Sequence, residues 1–200
     1  MDTTDYLPFL ERHLTPPRLQ HSLGVMAVME ELAEIYQLDH TQAMAAGLLH
    51  DAAKDLTPEQ LLALAEEANF RFSAPCEQNP IYLHAPMSAY FVVKELRFTD
   101  DLVLDAIATH SFANGRNFDA PLSWCLRFAD ILAPVKEWSG MKKFKSVVYA
   151  GQIEAAALLH CGWLIEYFQE INVPVHPHLT ETFQSLSARL SVNKTFFERW

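Results

Sequence analysis

Apolar residues recur along most of this chain at the spacing of helical faces, and the strict alternation of a half-buried strand is nearly absent. Val25, Val28, Met29, Leu32, Ile35 and Tyr36 fall on one stripe, the 3.6-residue period of a helix that buries one side. Ahead of it stands Thr15-Pro16-Pro17, a hydroxyl at the cap position and prolines where a missing N–H costs nothing. Asp39-His40-Thr41-Gln42 reads as a capping box opening a helix through Ala43–Ala53, and Thr57-Pro58-Glu59-Gln60 opens another over Leu61–Ala68. Further helices are predicted over Leu83–Leu96, Asp101–Thr109, Pro121–Leu132, Ile153–Gln169 and Leu179–Leu190. Asn69–Pro80 carries two prolines without a period and reads as a loop, Asn114-Gly115-Arg116-Asn117 as a turn, and Val173–His178 as an extended connector. No repeat and no Gly/Ser linker divides the chain. The expectation is an all-α protein, one domain over residues 1–200, a helical bundle of about seven to nine helices.

Composition narrows the function classes. Half of the 200 residues are hydrophobic and 20% are charged, a globular balance with enough apolar surface to close a core. A net charge of −10 argues against general affinity for nucleic acid or an anionic membrane, which require a basic surface. It leaves room for a small phosphorylated ligand held by a local cluster of cations. Cys76, Cys125 and Cys161 are far apart and form no CxxC pattern, so they read as reduced thiols of the core. The acidic start Met1-Asp2-Thr3-Thr4-Asp5 is unlike a signal peptide. No apolar run approaches the roughly 20 residues of a membrane span. The expected location is cytoplasmic.

Candidate chemistry lies in an ordered set: His21, His50-Asp51, His84, His110 and Asp130. Adjacent His and Asp offer one nitrogen and one oxygen ligand from a single turn. Asp130 stands among apolar neighbours, Leu126-Arg127-Phe128-Ala129-Asp130-Ile131-Leu132, where an acid is costly unless something compensates it. His21, His50, Asp51 and Asp130 therefore form the expected primary metal site, with iron, manganese, cobalt and zinc all compatible. His84 and His110 either hold a second ion, with Asp51 bridging, or contact substrate phosphate. Lys54, three residues after Asp51, is placed to neutralise developing phosphate charge. By contrast, His13, His40 and His160 read as surface or satisfied core histidines, and Asp55 as a surface charge. Lys142-Lys143-Phe144-Lys145 reads first as a solvated face and second as a phosphate-neutralising patch. His176-Pro177-His178 reads as an exposed connector or a metal clip.

These residues in this order resemble the HD-domain phosphohydrolases, and His84 with His110 match the members with an extended, two-metal-capable site. Several local strings are similar to the bacterial symmetrical bis(5'-nucleosyl)-tetraphosphatases: Arg18-Leu19-Gln20-His21-Ser22, Leu48-Leu49-His50-Asp51-Ala52-Ala53-Lys54, Leu83-His84-Ala85-Pro86, Ala106-Ile107-Ala108-Thr109-His110, Phe128-Ala129-Asp130-Ile131 and Val173-Pro174-Val175-His176-Pro177. The resemblance spans about residues 18–185. It implies a single HD domain that cleaves diadenosine tetraphosphate symmetrically to two ADP by a metal-activated water, with one or two ions and iron as the expected metal. It further implies that Arg18, His84, His110 and the His176 segment contact the nucleotide, and it admits a homodimer. Two departures fall on the phosphate side. Ala133-Pro134 and Lys136 stand where the family has Glu-Pro followed by an arginine, and Ser111–Arg116 is longer than the family's Thr-Thr-Gly-Arg. Lysine is a point charge without the fork of arginine, and both departures fall away from the metal ligands. Other expected readings are hydrolysis of another nucleotide (a monophosphate, a cyclic dinucleotide or a guanosine polyphosphate) and a non-catalytic nucleotide-sensing module.

Overall fold

The structure, a computed structural model, describes residues 3–72, 76, 79–111, 120–133 and 140–190. Among them are ten α-helices and no strand: α1 Leu7–His13, α2 Pro16–Tyr36, α3 His40–Leu49, α4 Pro58–Glu67, α5 His84–Leu96, α6 Asp101–Thr109, α7 Pro121–Leu132, α8 Met141–Tyr149, α9 Ile153–Glu170 and α10 Pro177–Arg189. Short 3₁₀ turns cover Thr3–Tyr6 and Pro80–Leu83. The all-α class holds, and the helix number exceeds the expected seven to nine. The two unanticipated helices bury little. α1 covers only Phe9 and Leu10, and α8 only Phe144 and Val148, so each shows one apolar pair rather than a stripe. Lys136, the turn at 114–117 and the aromatic C-terminal tail lie outside the described residues.

Two of the start signals act as predicted only in part. Thr57 and Gln60 form the reciprocal capping box of α4. At α3 half of the expected box forms, Asp39 accepting from the Gln42 N–H while the Gln42 side chain donates to Asp100 Oδ2. Asp100, not singled out in the sequence, accepts from Leu102 and Val103. Thr15 does not cap α2 with its own hydroxyl. Instead its hydroxyl and its N–H both donate to Asp55 Oδ2, at 2.8 and 2.7 Å. Asp55 is thus a link between the turn after α3 and the start of α2, not a free surface charge.

α3 occupies the centre. Six of its ten residues are buried (Ala43, Ala45, Ala46, Gly47, Leu48 and Leu49), and α2, α6 and α7 all pack on it. It approaches α2 closely at Gly47, where an added Cβ would lie 2.8 Å from Met26 Cα. The pattern predicted helix as far as Ala53, but α3 stops at Leu49. Local hydrogen bonding explains the difference. The His50 ring donates to Gly47 O at 2.8 Å, the Ala53 N–H goes to Ser88 Oγ at 3.0 Å, and Leu49 O accepts from Ala52 instead. The chain therefore winds on through 50–55 in three-residue turns, which redirects His50, Asp51 and Lys54 toward the neighbouring helices. α7 carries the largest core side chains, Trp124, Arg127 and Phe128, and α9 packs behind it with α8 and α10. Among the described residues no helix is long and apolar enough to cross a membrane.

Candidate metal centre

Five segments deliver six groups to a single locus. His21 comes from the second turn of α2, His50-Asp51 from the end of α3, His84 from the first position of α5, His110 from the C-cap of α6 and Asp130 from α7. His21 Nε2 lies 3.0 Å from Asp130 Oδ1. His50 Nε2 lies 3.7 Å from Asp130 Oδ1 and 3.6 Å from Asp51 Oδ2. The other oxygen of Asp51 faces the opposite way, 3.5 Å from His84 Nε2 and 3.4 Å from His110 Nε2, and those two nitrogens are 3.2 Å apart. Donor atoms each about 2.1 Å from a common ion stand roughly 3–4 Å from one another. The ligand atoms of His21, His50 and Asp130, and separately those of His50, Asp51 and His110, all lie within 4.8 Å of one another. All six sequence-singled residues are therefore brought together, and Asp51 presents one oxygen to each half.

The tautomers are arranged for coordination. His50, His84 and His110 each place Nδ1 against the carbonyl three residues earlier: Gly47, Ile81 and Ile107. Donation from Nδ1–H leaves Nε2 as a lone pair, and in all three it turns inward. The consequence is a buried surplus of acceptors. His50 Nε2 and Asp51 Oδ1 are fully buried with no hydrogen-bond partner, a state that costs free energy unless a cation fills the space between them. A divalent ion fits that donor set of neutral imidazoles and carboxylates.

The charge states divide: Asp51 and Asp130 outweigh burial and raise the pKa of His50, while the other shifts suit coordination. Burial would push the Asp51 carboxyl up, but His50, His110, Lys54 and His84 beside it outweigh that and hold it well below the usual carboxylate range. Asp130 is held down likewise, burial being overcome by the neighbouring His21 and His50. His84 is pushed down to about 3 by burial and by Lys54, and burial lowers His110 as well. Both rings are thus neutral at physiological pH, the form that binds metal.

Cations rim the centre. Lys54 Nζ sits 2.9 Å from His84 Nε2 and 3.7 Å from Asp51 Oδ1. Arg18, with 42% of its side chain exposed, has Nη1 3.9 Å from Asp51 and Nε 3.6 Å from Asp55. His176 is buried, caps α10 by accepting from the His178 N–H, and packs its ring 5.6 Å from that of Tyr82. Tyr82 in turn donates to Pro174 O at 2.7 Å, so the His176 segment is latched to the turn that carries His84. His176 is thus the buried member of a segment whose Pro174, Pro177 and His178 are exposed. His160 is buried and neither ring nitrogen has a hydrogen-bond partner, so it is not the satisfied core histidine expected. The Asp55 link had no signal in the sequence beyond its place after Lys54. A cavity of about 190 Å³ lined by Tyr6, Gln42, Arg97 and Asp100 lies at the other end of α3 and holds none of these groups.

An all-helical bundle with histidines and aspartates converging on buried, unshared lone pairs defines a protein built to hold a divalent cation. The chain belongs to the HD domain family, whose model matches residues 18–135. It is 28% identical to the symmetrical bis(5'-nucleosyl)-tetraphosphatase of Halalkalibacterium halodurans over 90% of this chain and 94% of that protein. Identity to the protein of the same name from Bacillus subtilis is 27%, over 93% and 98% of the two chains. A crystal structure from Clostridium acetobutylicum, described as a predicted HD superfamily hydrolase involved in NAD metabolism, superposes with a TM-score of 0.87 at 25% identity, covering 94% of this chain and 98% of that one.

Proposed function

We propose that this protein cleaves diadenosine tetraphosphate symmetrically, giving two ADP, and that iron is its resident ion. The observation that carries the reading is the inward convergence of three Nε2 lone pairs on a carboxylate whose two oxygens face separate halves of the site. The names of the two relatives that span over nine-tenths of the chain support the substrate class. His21, His50, Asp51 and Asp130 would hold the ion, which when bound would supply Lewis acidity and a lowered pKa for water. His84 and His110 hold a second ion or stabilise the phosphate directly. Lys54 and Arg18, at the rim, place positive charge where the phosphate chain enters and where charge develops in the transition state. Lys136 and His176 are assigned to substrate binding on the family's pattern, and residues 1–200 to one HD domain. ADP leaves without strong need of a proton donor.

The test is metal analysis of protein purified without air, followed by a nucleotide panel with product identification. Two ADP from diadenosine tetraphosphate is the expected result. ATP plus AMP would move the cut, turnover of only another nucleotide would move the substrate, and metal without any turnover would sink the enzyme reading.

A further inference from the structure

Arg127 is the only arginine or lysine among the described residues that is buried, with 1% of its surface exposed. Taking a guanidinium out of water is costly, and a well-packed apolar side chain commonly serves a core as well or better. Its contacts show what it does there. Nε and Nη2 donate to Thr109 O at 3.2 and 2.6 Å, Nη1 lies 3.3 Å from Ser123 O on its own helix, and the guanidinium carbon stands 4.6 Å over the Trp124 ring. Thr109 is the last residue of α6 and the next residue is His110. α6 ends without a basic residue in its last turn, and its terminal carbonyls need donors. Ile107 O is used by His110 itself, from the ring at 2.7 Å and from the backbone N–H at 3.4 Å. Thr109 O is used by Arg127. The same helix that brings Asp130 to His21 therefore grips, one turn earlier, the peptide from which His110 departs.

We propose that Arg127 is a positioning residue: by forking onto the Thr109 carbonyl it sets where His110 stands relative to Asp51 and His84. In this role it acts through His110. Its effect on turnover rests on the hydrolase reading above, while the geometric claim does not. A lysine at this place keeps the charge but not the fork, and a methionine keeps the apolar stem alone.

The experiment compares Arg127→Lys and Arg127→Met with the wild-type chain. In metal-free protein, the imidazole nitrogen resonances of His110 (assigned through His110→Gln) are expected to shift in both variants, while those of His21 stay. With cobalt(II) bound, the visible absorption should change in shape. Partners of metal ligands typically affect affinity or activity by about 10–100-fold, so kcat should fall by that factor with KM within about twofold, Arg127→Lys recovering part of the loss. Unmoved His110 resonances together with an unchanged cobalt spectrum would overturn the proposal and leave Arg127 as a packing residue. Should Arg127→Met not fold, Arg127→Lys decides by the same readouts. Absence of turnover by the wild-type chain would count against the hydrolase reading alone, because the resonances still decide Arg127.

Discussion

A histidine that spends Nδ1–H on a carbonyl three residues behind it has one nitrogen left and no choice about where it points. His50, His84 and His110 all do this, so the centre is organised by backbone acceptors before any ion arrives. Asp51 is the residue on which both halves depend. Asp51→Ala removes the oxygens that face His50 on one side and His84 and His110 on the other, and bound metal and activity are expected to collapse together. Full metal occupancy of that variant by elemental analysis would show the ligand assignment to be wrong. His84→Ala and His110→Ala should differ: His21, His50, Asp51 and Asp130 remain, so an ion stays while turnover falls on the order of 10²–10³. Kinetics and metal content measured on the same samples separate the outcomes. Wild-type rates would remove the two histidines from the chemistry, and total loss of metal would make the two halves one cooperative cluster.

His160 makes a prediction of a different kind at the same scale. It is enclosed by Trp124 and Phe128, and burial, with Arg127 adding to it and Asp130 opposing, lowers its pKa to about 3. The folded state therefore resists protonation while the unfolded chain takes up a proton near 6.5. The contribution to stability is complete above that value and is lost as pH falls from about 6.5 toward 3, at most about 1.4 kcal/mol per pH unit. His160→Leu should remove one proton's worth of slope from a plot of unfolding free energy against pH. Urea melts of metal-free protein between pH 7 and pH 4 measure it, and parallel slopes for the two proteins would contradict the assignment.

At the scale of elements, helix starts were legible, and so to within one residue were the ends of α4–α7, α9 and α10; the end of α3 was not. Prolines and cap residues before α2, α3 and α4 announce helix starts through local chemistry that depends on only four residues. The end of α3 depends on Ser88, thirty-five residues away, and on a histidine ring bonding its own backbone; no local pattern contains either. Short helices such as α1 and α8 bury one apolar pair each, too little for a period to register. The six candidate ligands were legible because metal chemistry restricts residue type. Asp55 and Arg127 were not, since a link to Thr15 or to Thr109 exists only after the helices pack. Gly47 belongs to this scale too. Replacing a mid-helix glycine by alanine ordinarily gains roughly 0.5–1 kcal/mol, but here the new Cβ would meet Met26 backbone atoms at 2.8 and 2.9 Å, which cannot rotate aside. Gly47→Ala should instead destabilise by about 1–3 kcal/mol, as overpacking does, and should weaken metal binding by moving His21 away from His50. Denaturant midpoints with a metal titration test both parts; a stabilised variant would mean that α2 and α3 can separate without strain.

Taken as a whole molecule, the chain is a bundle whose segments are joined at their ends by loops and at their centre by ligands from five separate places. His21 and Asp130 are 109 positions apart, so no unfolded chain presents them together, and an ion that binds the native arrangement must stabilise it. The gain follows RT ln(1 + [M]/Kd), about 2.7 kcal/mol when free metal is 100 times Kd. For a chain of this size each kcal/mol moves the melting temperature by roughly 2–4 °C, so stripping the metal with a chelator should lower it by about 5–10 °C and re-addition should restore it. The shift should be centred on the ligands rather than spread over the acidic surface. The net charge of −10 attracts any divalent ion weakly, and magnesium or calcium in excess would mimic a specific effect if surface charge were responsible. Asp130→Asn discriminates, since it removes one negative charge from the whole but a primary ligand from the site. Thermal melts of both proteins, with iron or cobalt and with chelator, are the measurement. A wild-type melting temperature indifferent to the metal, or an Asp130→Asn protein that keeps the entire shift, would place the ion somewhere other than between α2, α3 and α7.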